Sequence, residues 1–517
     1  MGKRDTKLSW SREALEALRI MNDTRENLFL TGRAGTGKST LLTEFRKNTK
    51  KKIAVLAPTG VAAVNVSGQT IHSFCGFKPD VTLKKVKRLG DSNKRVKVLQ
   101  KLDAIIIDEV SMCRADLLDC FEKFLRLNIK RGDDDRNDEP FGGLQIIFIG
   151  DLYQLPPVVV SSELKAFETL YDSPYFYSAT CFKTDSFNFI ELEKVYRQVD
   201  HRFVKILNAI RNNSVSNVEL EELNVRYTKE SKNTNFVVCL TSTNAKAGEI
   251  NINSLNELNE KEYVFDASIS GKFERSNMPT EEALRLKVGA QVMLLNNDLE
   301  ERWVNGTMAV VDSISYENIF VKLETGNVYE VAKNSWEVFE YYVESNTLKT
   351  KNIGTFIQYP LKLAWAITIH KSQGKTFDEV IIDIGRGTFA HGQLYVALSR
   401  CRTLEGITLR QPLEKRHVIM DFRVVKFVTS LHYAKSEKIL PIQKRIDMIE
   451  KAIVDKSKVR IVYLKNNDER SERVIEPKMI GEMEYKGMKY LGVEAFCHTR
   501  QGVRVFRVDR MLEMVTI

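Results

Sequence analysis

The sequence predicts an α/β fold: two tandem units on parallel sheets, small inserted subdomains, and a C-terminal α+β module. Three observations carry this expectation. In the first half, short apolar runs closed by turn residues alternate with helical patterns, as in a parallel sheet buried on both faces. A second series of the same kind starts near residue 236 and returns near residue 380. From about residue 435 the texture changes to one helical stretch followed by alternating strands. The length of 517 residues allows about three or four domains of roughly 100–200 residues.

In the first unit, strands are predicted at 27–31, 53–57, 102–107 and 144–149. Residues 116–129 place Leu117, Leu118, Phe121, Phe124 and Leu125 at helical spacing, and run into an expected exposed loop at 131–140. In the second unit, 236–240 and 380–384 read as strands, 392–399 as a helix and 406–409 as a strand. Between them, 288–359 is strand-rich, with Gly289, Asn305-Gly306 and Gly326-Asn327 as turn signals, and reads as a small inserted barrel. The tail is expected to form strands at 459–464, 473–480, 490–496 and 503–511. The predicted domains are 1–190, with a small insertion near 60–80; 191–434, with its insertion at about 288–360; and 435–517.

Composition narrows the classes. Hydrophobic residues are 43% and charged residues 28%, which excludes wholesale disorder. No apolar run approaches the ~18–20 residues of a membrane span. The formal charge of +10 is unevenly placed. Residues 81–101 hold eight Lys/Arg against one acidic residue, and 435–517 hold 18 against 13. The first stretch is either a polyanion-binding patch or a solvated helix face. Seven scattered cysteines without a C-x-x-C pair argue against a disulfide framework or structural zinc, and for buried thiols in a reducing compartment. No apolar signal segment opens the chain, and the loose myristoylation pattern of residues 1–6 is read as chance. The expected location is cytoplasmic, bacterial-type and nucleoid-associated, with no membrane partner.

Gly32-Arg33-Ala34-Gly35-Thr36-Gly37-Lys38-Ser39 fills every specified position of the phosphate-loop pattern G-x-x-x-x-G-K-[ST], between a predicted strand and a helix. Glycines let backbone N–H groups approach phosphates, and the helix N-terminus adds partial positive charge. Lys38 is expected to reach the β- and γ-phosphates and Ser39 to ligate Mg²⁺. The competing reading is a glycine-rich structural turn. Ile105-Ile106-Ile107-Asp108-Glu109 then supplies carboxylates at a strand end. Asp108 is expected to hold Mg²⁺ and Glu109 to orient and deprotonate the attacking water. The alternative is a helix start stabilised by negative charge. Gln154, after Gly150-Asp151-Leu152-Tyr153, is placed to sense the γ-phosphate or the water. Phosphate loop and paired carboxylates together predict a nucleoside triphosphatase.

Residues 8–411 resemble the superfamily-one DNA helicases of subgroup B, and within them the Pif-one helicases. The resemblance rests on Ala57-Pro58-Thr59-Gly60-Val61-Ala62-Ala63 with Gly68-Gln69-Thr70-Ile71-His72-Ser73-Phe74, and on Pro140-Phe141-Gly142-Gly143 leading into Gly150–Gln154. It extends to Val195-Tyr196-Arg197-Gln198, Ile369-His370-Lys371-Ser372-Gln373-Gly374 and Tyr395-Val396-Ala397-Leu398-Ser399-Arg400, in the family's order. It implies two RecA-like domains, an SH3-like barrel in the second insertion, ATP and Mg²⁺ as cofactors, and 5′-to-3′ movement on single-stranded DNA. The implied catalytic set is Lys38, Asp108, Glu109, Gln154, Arg197 and Arg400, with Arg400 as an arginine finger and Arg197 as a further γ-phosphate contact. Gly32, Ala34, Gly35, Thr36, Gly37, Lys38, Ser39, Thr40 and Gly374 form the implied nucleotide set. Thr59, Gly60, His72, Ser73, Phe74, His370, Lys371 and Ser372 form the implied DNA set, with Phe74 either facing bases or packing inward. His370 reads as a strand or domain-coupling residue rather than a metal ligand, because no second histidine sits at ligand spacing. One departure stands out. Arg12 occupies the place where such helicases usually carry an adenine-reading glutamine, which leaves base selectivity open.

The tail resembles the WYL domains of prokaryotic regulators. Arg473-Val474-Ile475-Glu476-Pro477, Lys489-Tyr490-Leu491, Arg500 and Arg504-Val505-Phe506-Arg507 carry the likeness, with Lys489 at the eponymous tryptophan position. It implies that Arg473, Tyr490, Arg500, Arg504 and Arg507 regulate the enzyme through a nucleic acid or nucleotide-like ligand; a plain charged β module is the alternative. The expected whole is a monomeric ATP-dependent DNA helicase acting on single-stranded, forked or structured DNA, including G-quadruplexes and RNA–DNA hybrids. Two rivals are a single-strand translocase that displaces proteins, and a WYL-type regulatory DNA-binding protein.

Overall fold

The computed structural model describes residues 10–517 apart from 79, 130–138, 160, 199, 230–234, 274, 276–277, 316–317, 345–346 and 486. Most of the expected loop at 131–140 therefore lies outside the described residues, as do residues 1–9. Two compact units are present: Met1–Arg211 with Val215–Ile419, and Met420–Ile517 with Asn212–Ser214.

The first unit holds two parallel sheets. In the first lobe the spatial order is Gln69–Thr70, Ile53–Ala57, Ala104–Ile107, Gln145–Ile149, Asn27–Gly32, Phe187–Leu192, every pair parallel. Ala104–Ile107 and Gln145–Ile149 are buried at every position, which explains the unbroken apolar runs 104–107 and 146–149. Leu28, Leu30, Ile106, Ile147 and Ile149 form a core with Leu41, Leu42 and Phe45 of the helix Lys38–Asn48. On the far face, Phe148 stacks on Phe187 with ring centroids 5.1 Å apart and meets Phe176 at 5.2 Å. One boundary moves from expectation: the last strand runs to Leu192, past residue 190. The segment 60–80, expected to hold a small insertion, carries the short strand Gln69–Thr70, which joins the edge of the main sheet.

The second lobe is a four-stranded parallel sheet: Ala366–Thr368, Val238–Thr241, Val380–Asp383, Ile407–Leu409. Its insertion contains a five-stranded antiparallel sheet, in the order Val328–Val331, Asn318–Leu323, Met308–Ser315, Gln291–Leu294, Leu361–Leu363. Asn318–Leu323 alternates buried with accessible residues, and Val292, Val311, Val321 and Leu361 share one core. The expected barrel at 288–360 is therefore only part of what is inserted. The hairpin Asn334–Glu344/Thr347–Gln358 leaves that sheet to pair with Ser268–Gly271. Strands of 11 and 12 residues reach on the order of 35–40 Å, too long to stay within strands of three to eight. The hairpin packs on the helix Lys94–Leu99 of the first lobe.

The second unit consists of helices Phe422–Ile439 and Ile442–Val454 and an antiparallel sheet. Its strand order is Gly502–Arg507, Met488–Cys497, Arg470–Tyr485, Val459–Leu464, Met511–Thr516. Ile449 and Ala452 close a core with Ile461, Ile475, Val493 and Phe506. The unit begins near Met420 rather than 435, because the helix Phe422–Ile439 is part of it: the Ser436 hydroxyl donates to Leu512 O. Buried Arg445 donates to Leu440 O at 2.8 Å and to the same Ser436 hydroxyl at 2.9 Å. All seven cysteines are buried free thiols. Among the described residues no helix is long and apolar enough to cross a membrane.

Candidate active site

The phosphate loop leaves the strand Asn27–Gly32 and enters the helix Lys38–Asn48, as its pattern requires. Gly35, at φ +80°, permits a close crossing: a Cβ there would lie 2.5 Å from Arg197 Cβ. The Tyr196 N–H donates to Gly35 O at 2.8 Å, so the segment 196–198 is laid over the loop. Thr36 is buried, its hydroxyl donating to Arg33 O, whereas Ser39 and Thr40 at the helix start are exposed. The half-buried Lys38 ammonium donates to Gly32 O at 2.6 Å and Arg33 O at 3.1 Å. Burial lowers its pKa, while Asp151, Glu109 and Asp108 pull it back up. One ammonium thus stands among three carboxylates.

Asp108 and Glu109 follow the buried strand Ala104–Ile107. Glu109 adopts the left-handed region (φ 51°, ψ 41°), an uncommon conformation for a residue with a side chain. Burial raises the pKa of Asp108, and burial together with Asp108 raises that of Glu109 well above the ordinary carboxylate range. A carboxyl group so placed suits a base that must take a proton near neutral pH. Gln154 is buried, and its amide donates to Asp151 Oδ2 at 3.0 Å.

The second lobe supplies cations to the same place. Arg400 is 1% exposed and donates to Val396 O, to the Ser399 hydroxyl and to Lys375 O. Arg197 donates to Ser399 O at 3.2 Å. Burial, then the neighbouring charge of Arg197, lowers Arg400 to about 9; burial also lowers Arg197. Two desolvated guanidiniums beside each other are costly without an anion. A γ-phosphate offers that anion.

Several residues in the site were not singled out from the sequence. Tyr395 OH accepts from the Ala34 N–H at 2.9 Å across the lobes. Gln373 Nε2 donates to Glu109 Oε2 at 3.0 Å and to Gln154 Oε1 at 3.3 Å. Both lie inside motifs that were recognised as runs. Gly392 precedes the helix Gln393–Leu398, and a Cβ there would sit 2.2 Å from Tyr153 O and 2.6 Å from Gln154 O. Arg211 places its guanidinium 3.8 Å over the Tyr153 ring and 4.0 Å from Asp151. Nothing in local spacing marks it. Gly374, by contrast, is exposed at φ +81° with open space around it.

The expected strand contacts divide. The Thr59 hydroxyl accepts from the Ala62 N–H and caps the short helix beginning at Gly60. His72 is half-buried and Ser73 exposed at the first-lobe edge. Phe74 is 6% exposed and buried, like Ile71 and Cys75 of the same short helix, which favours the inward of its two expected placements. Ser372 is fully buried and its hydroxyl donates to Ile369 O at 2.7 Å. His370 is half-buried, its pKa lowered by burial, and Lys371 is exposed. Two lysines missed from the sequence adjoin them. Burial, and for Lys362 the neighbouring charge of Lys371, brings Lys362 and Lys375 down to about 8.

In the second unit, Arg473, Arg500 and Arg504 line one pocket of about 610 Å³ with Tyr463, Lys465 and Ser471. Tyr490 and Arg507 do not line it. They face each other, with the guanidinium 5.1 Å from the ring centroid and Arg507 paired to Asp509.

Residues 11–221 match the PIF1-like helicase family, 363–405 the UvrD-like helicase C-terminal domain and 444–516 the WYL domain. The chain is 32% identical over 428 residues to the ATP-dependent DNA helicase Pif1 of Bdellovibrio bacteriovorus, covering 81% of this chain and 91% of that protein. The structure of unliganded Pif1 from Bacteroides sp. is 37% identical, covers 81% of this chain and 96% of its own, and superposes with a TM-score of 0.73. Bacteroides Pif1 bound to ssDNA, at 36% identity and the same coverage, gives 0.60. With a Pif1 relative matched over nine-tenths of its length and a WYL match at the tail, the chain belongs to the PIF1-like helicases and carries a C-terminal WYL domain.

Proposed function

We propose that this ATP-dependent DNA helicase moves 5′ to 3′ on a single strand by opening and closing the cleft between its two parallel-sheet lobes. The observation that carries the reading is the meeting of Lys38, Asp108 and Glu109 from one lobe with Arg197 and Arg400 from the other, with Gln154 beside them on Asp151. On ATP binding, Lys38 leaves the carbonyls of Gly32 and Arg33 for the phosphates, and the loop N–H groups cradle them. Glu109 accepts the proton of the attacking water while Gln154 orients it. Arg197 and Arg400 offset charge developing on the γ-phosphoryl group, so closure and chemistry are linked. The exposed Ser39 hydroxyl and the buried Asp108 carboxylate are oxygen donors that fit Mg²⁺, a cation that takes few protein ligands alongside phosphates and water. Bound there, it would neutralise phosphate charge.

Single-stranded and forked DNA are the proposed substrates, gripped through Thr59, Gly60, His72 and Ser73 on one lobe and His370, Lys371, Lys362 and Lys375 on the other. A strand-bound Bacteroides relative supports this. G-quadruplexes and RNA–DNA hybrids are proposed as further substrates, and the working form as a monomer in the cytoplasm. The pocket of Arg473, Arg500 and Arg504 is the proposed seat of a nucleic-acid or nucleotide ligand. Lys38→Ala is expected to lower strand-stimulated ATP turnover at least about a thousandfold, since phosphate contacts supply most of the catalysis. Substantial turnover in that variant would remove the phosphate loop from the reading. A forked-duplex assay separates the helicase from a translocase that only displaces proteins, because only the former releases the complementary strand.

A further inference from the structure

Gln373 follows Ser372 in the turn proposed to hold the strand, yet its side chain reaches the nucleotide site. An amide nitrogen has two hydrogens, and this one has two acceptors: Glu109 Oε2 at 3.0 Å and Gln154 Oε1 at 3.3 Å. The contact occupies one oxygen of the carboxylate that must take a proton from water. A carboxylate oxygen that already accepts from a fixed donor is a poorer acceptor for anything else. Glu109 and Gln154 are therefore engaged with each other through Gln373 while the lobes stand as they do here.

The other end of the contact is built to transmit movement. His370–Ser372 forms a tight turn in which the Ser372 N–H and hydroxyl both bond Ile369 O, and the Gln373 N–H bonds His370 O at 3.2 Å. The Lys371 N–H donates to the Thr368 hydroxyl at 3.3 Å. Lys371 and Gln373 thus belong to one hydrogen-bonded piece, followed at once by Gly374 in the left-handed region with open space around it. A shift of the exposed Lys371 side of the turn carries the Gln373 amide with it.

We infer that Gln373 is a positioning residue that couples strand binding to hydrolysis: without DNA it restrains Glu109 and Gln154, and a phosphate seated on the turn draws it away. The inference rests on the reading that Lys371 meets the strand. This chain superposes better on the unliganded relative than on the strand-bound one, 0.73 against 0.60.

The test is steady-state ATP hydrolysis by the full chain with and without an oligothymidylate, for the wild type, Gln373→Met and Gln373→Ala. Methionine keeps the length and removes the N–H donors. The expected result is a rise of about tenfold in the DNA-free kcat, the scale of one charge-assisted hydrogen bond, with KM for ATP unchanged. The strand-saturated kcat stays within about twofold, so the stimulation ratio falls about tenfold. Binding of a fluorescent ADP analogue, unaltered in both variants, confirms an intact site. Retention of the wild-type ratio, whether both rates fall or both rise, overturns the coupling. Lys371→Ala distinguishes the underlying reading: if strand affinity survives it unchanged, the turn does not hold DNA. A raised DNA-free rate in Gln373→Met would then still report restraint of Glu109, but not by the strand.

Discussion

Arg12 is the first residue of the helix Arg12–Asp23, exposed beside its cap Ser11, whose side chain accepts from the Ala14 N–H. A cation at a helix N-terminus opposes the local dipole, so its retention has no evident stability benefit. Standing where an adenine-reading glutamine is usual among such helicases, it is expected to leave purine choice loose. Arg12→Gln should raise the ratio of kcat/KM for ATP over GTP several-fold, about the worth of one directed hydrogen bond. Equal ratios in variant and wild type would exclude Arg12 from base selection. Residue positions were legible where chemistry demands a fixed local spacing, as for Lys38 and Ser39 at a helix start and Asp108 at a strand end. They were not legible where the partner lies far along the chain. Gln373 meets Glu109 across 264 residues, and Tyr395 meets Ala34 across 361. Phe74 was left between two placements for a related reason: an aromatic side chain in a strand motif serves a base or a core, and only packing decides which.

At the scale of elements, the alternating strands and helices of both parallel sheets could be read closely, because burial on both faces imposes long apolar runs. The hairpin Asn334–Glu344/Thr347–Gln358 could not, since a strand pattern carries no record of which sheet it joins. The turn proposed to grip the strand yields a pH prediction. Lys362 and Lys375 have folded pKa values near 8, and Lys375 Nζ also bonds Asn305 Oδ1 at 2.7 Å. DNA phosphate favours the protonated ammonium, so the pKa of each lysine rises in the complex. Affinity for single strands should therefore be full below about pH 8 and decline as pH rises towards the bound value. Fluorescence anisotropy at constant ionic strength should show a loss of about tenfold between pH 7 and 9.5, as two phosphate contacts weaken. The double variant Lys362→Met/Lys375→Met should bind more weakly at pH 7 and with a flatter profile. A profile parallel to that of the wild type would show that neither lysine titrates against DNA.

For the whole molecule, the division into two units turns on their separate cores. Ile449, Ile461, Ile475 and Val493 enclose one unit, while the parallel sheets and the insertion enclose the other, so each unit has the burial needed to fold. The nucleotide residues all fall in the first. A chain ending at Ile419 is therefore expected to fold and to keep ATP hydrolysis that depends on Lys38. What it should lose is affinity. The pocket of the second unit gathers Arg473, Arg500 and Arg504 with Lys465, and the tail from 435 onward carries 18 Lys/Arg against 13 acidic residues. If those three arginines each neutralise one phosphate, removing residues 420–517 should flatten the log–log salt dependence of single-strand binding by about 2. Arg473→Ala/Arg504→Ala in the full chain should reproduce most of that change without altering DNA-stimulated kcat, since neither residue lies in the unit that holds ATP. If truncation and double variant both leave the salt slope unchanged, the pocket does not bind DNA, and its arginines must serve a smaller anion. If truncation alone changes the slope, the contact lies elsewhere on the second unit's basic surface.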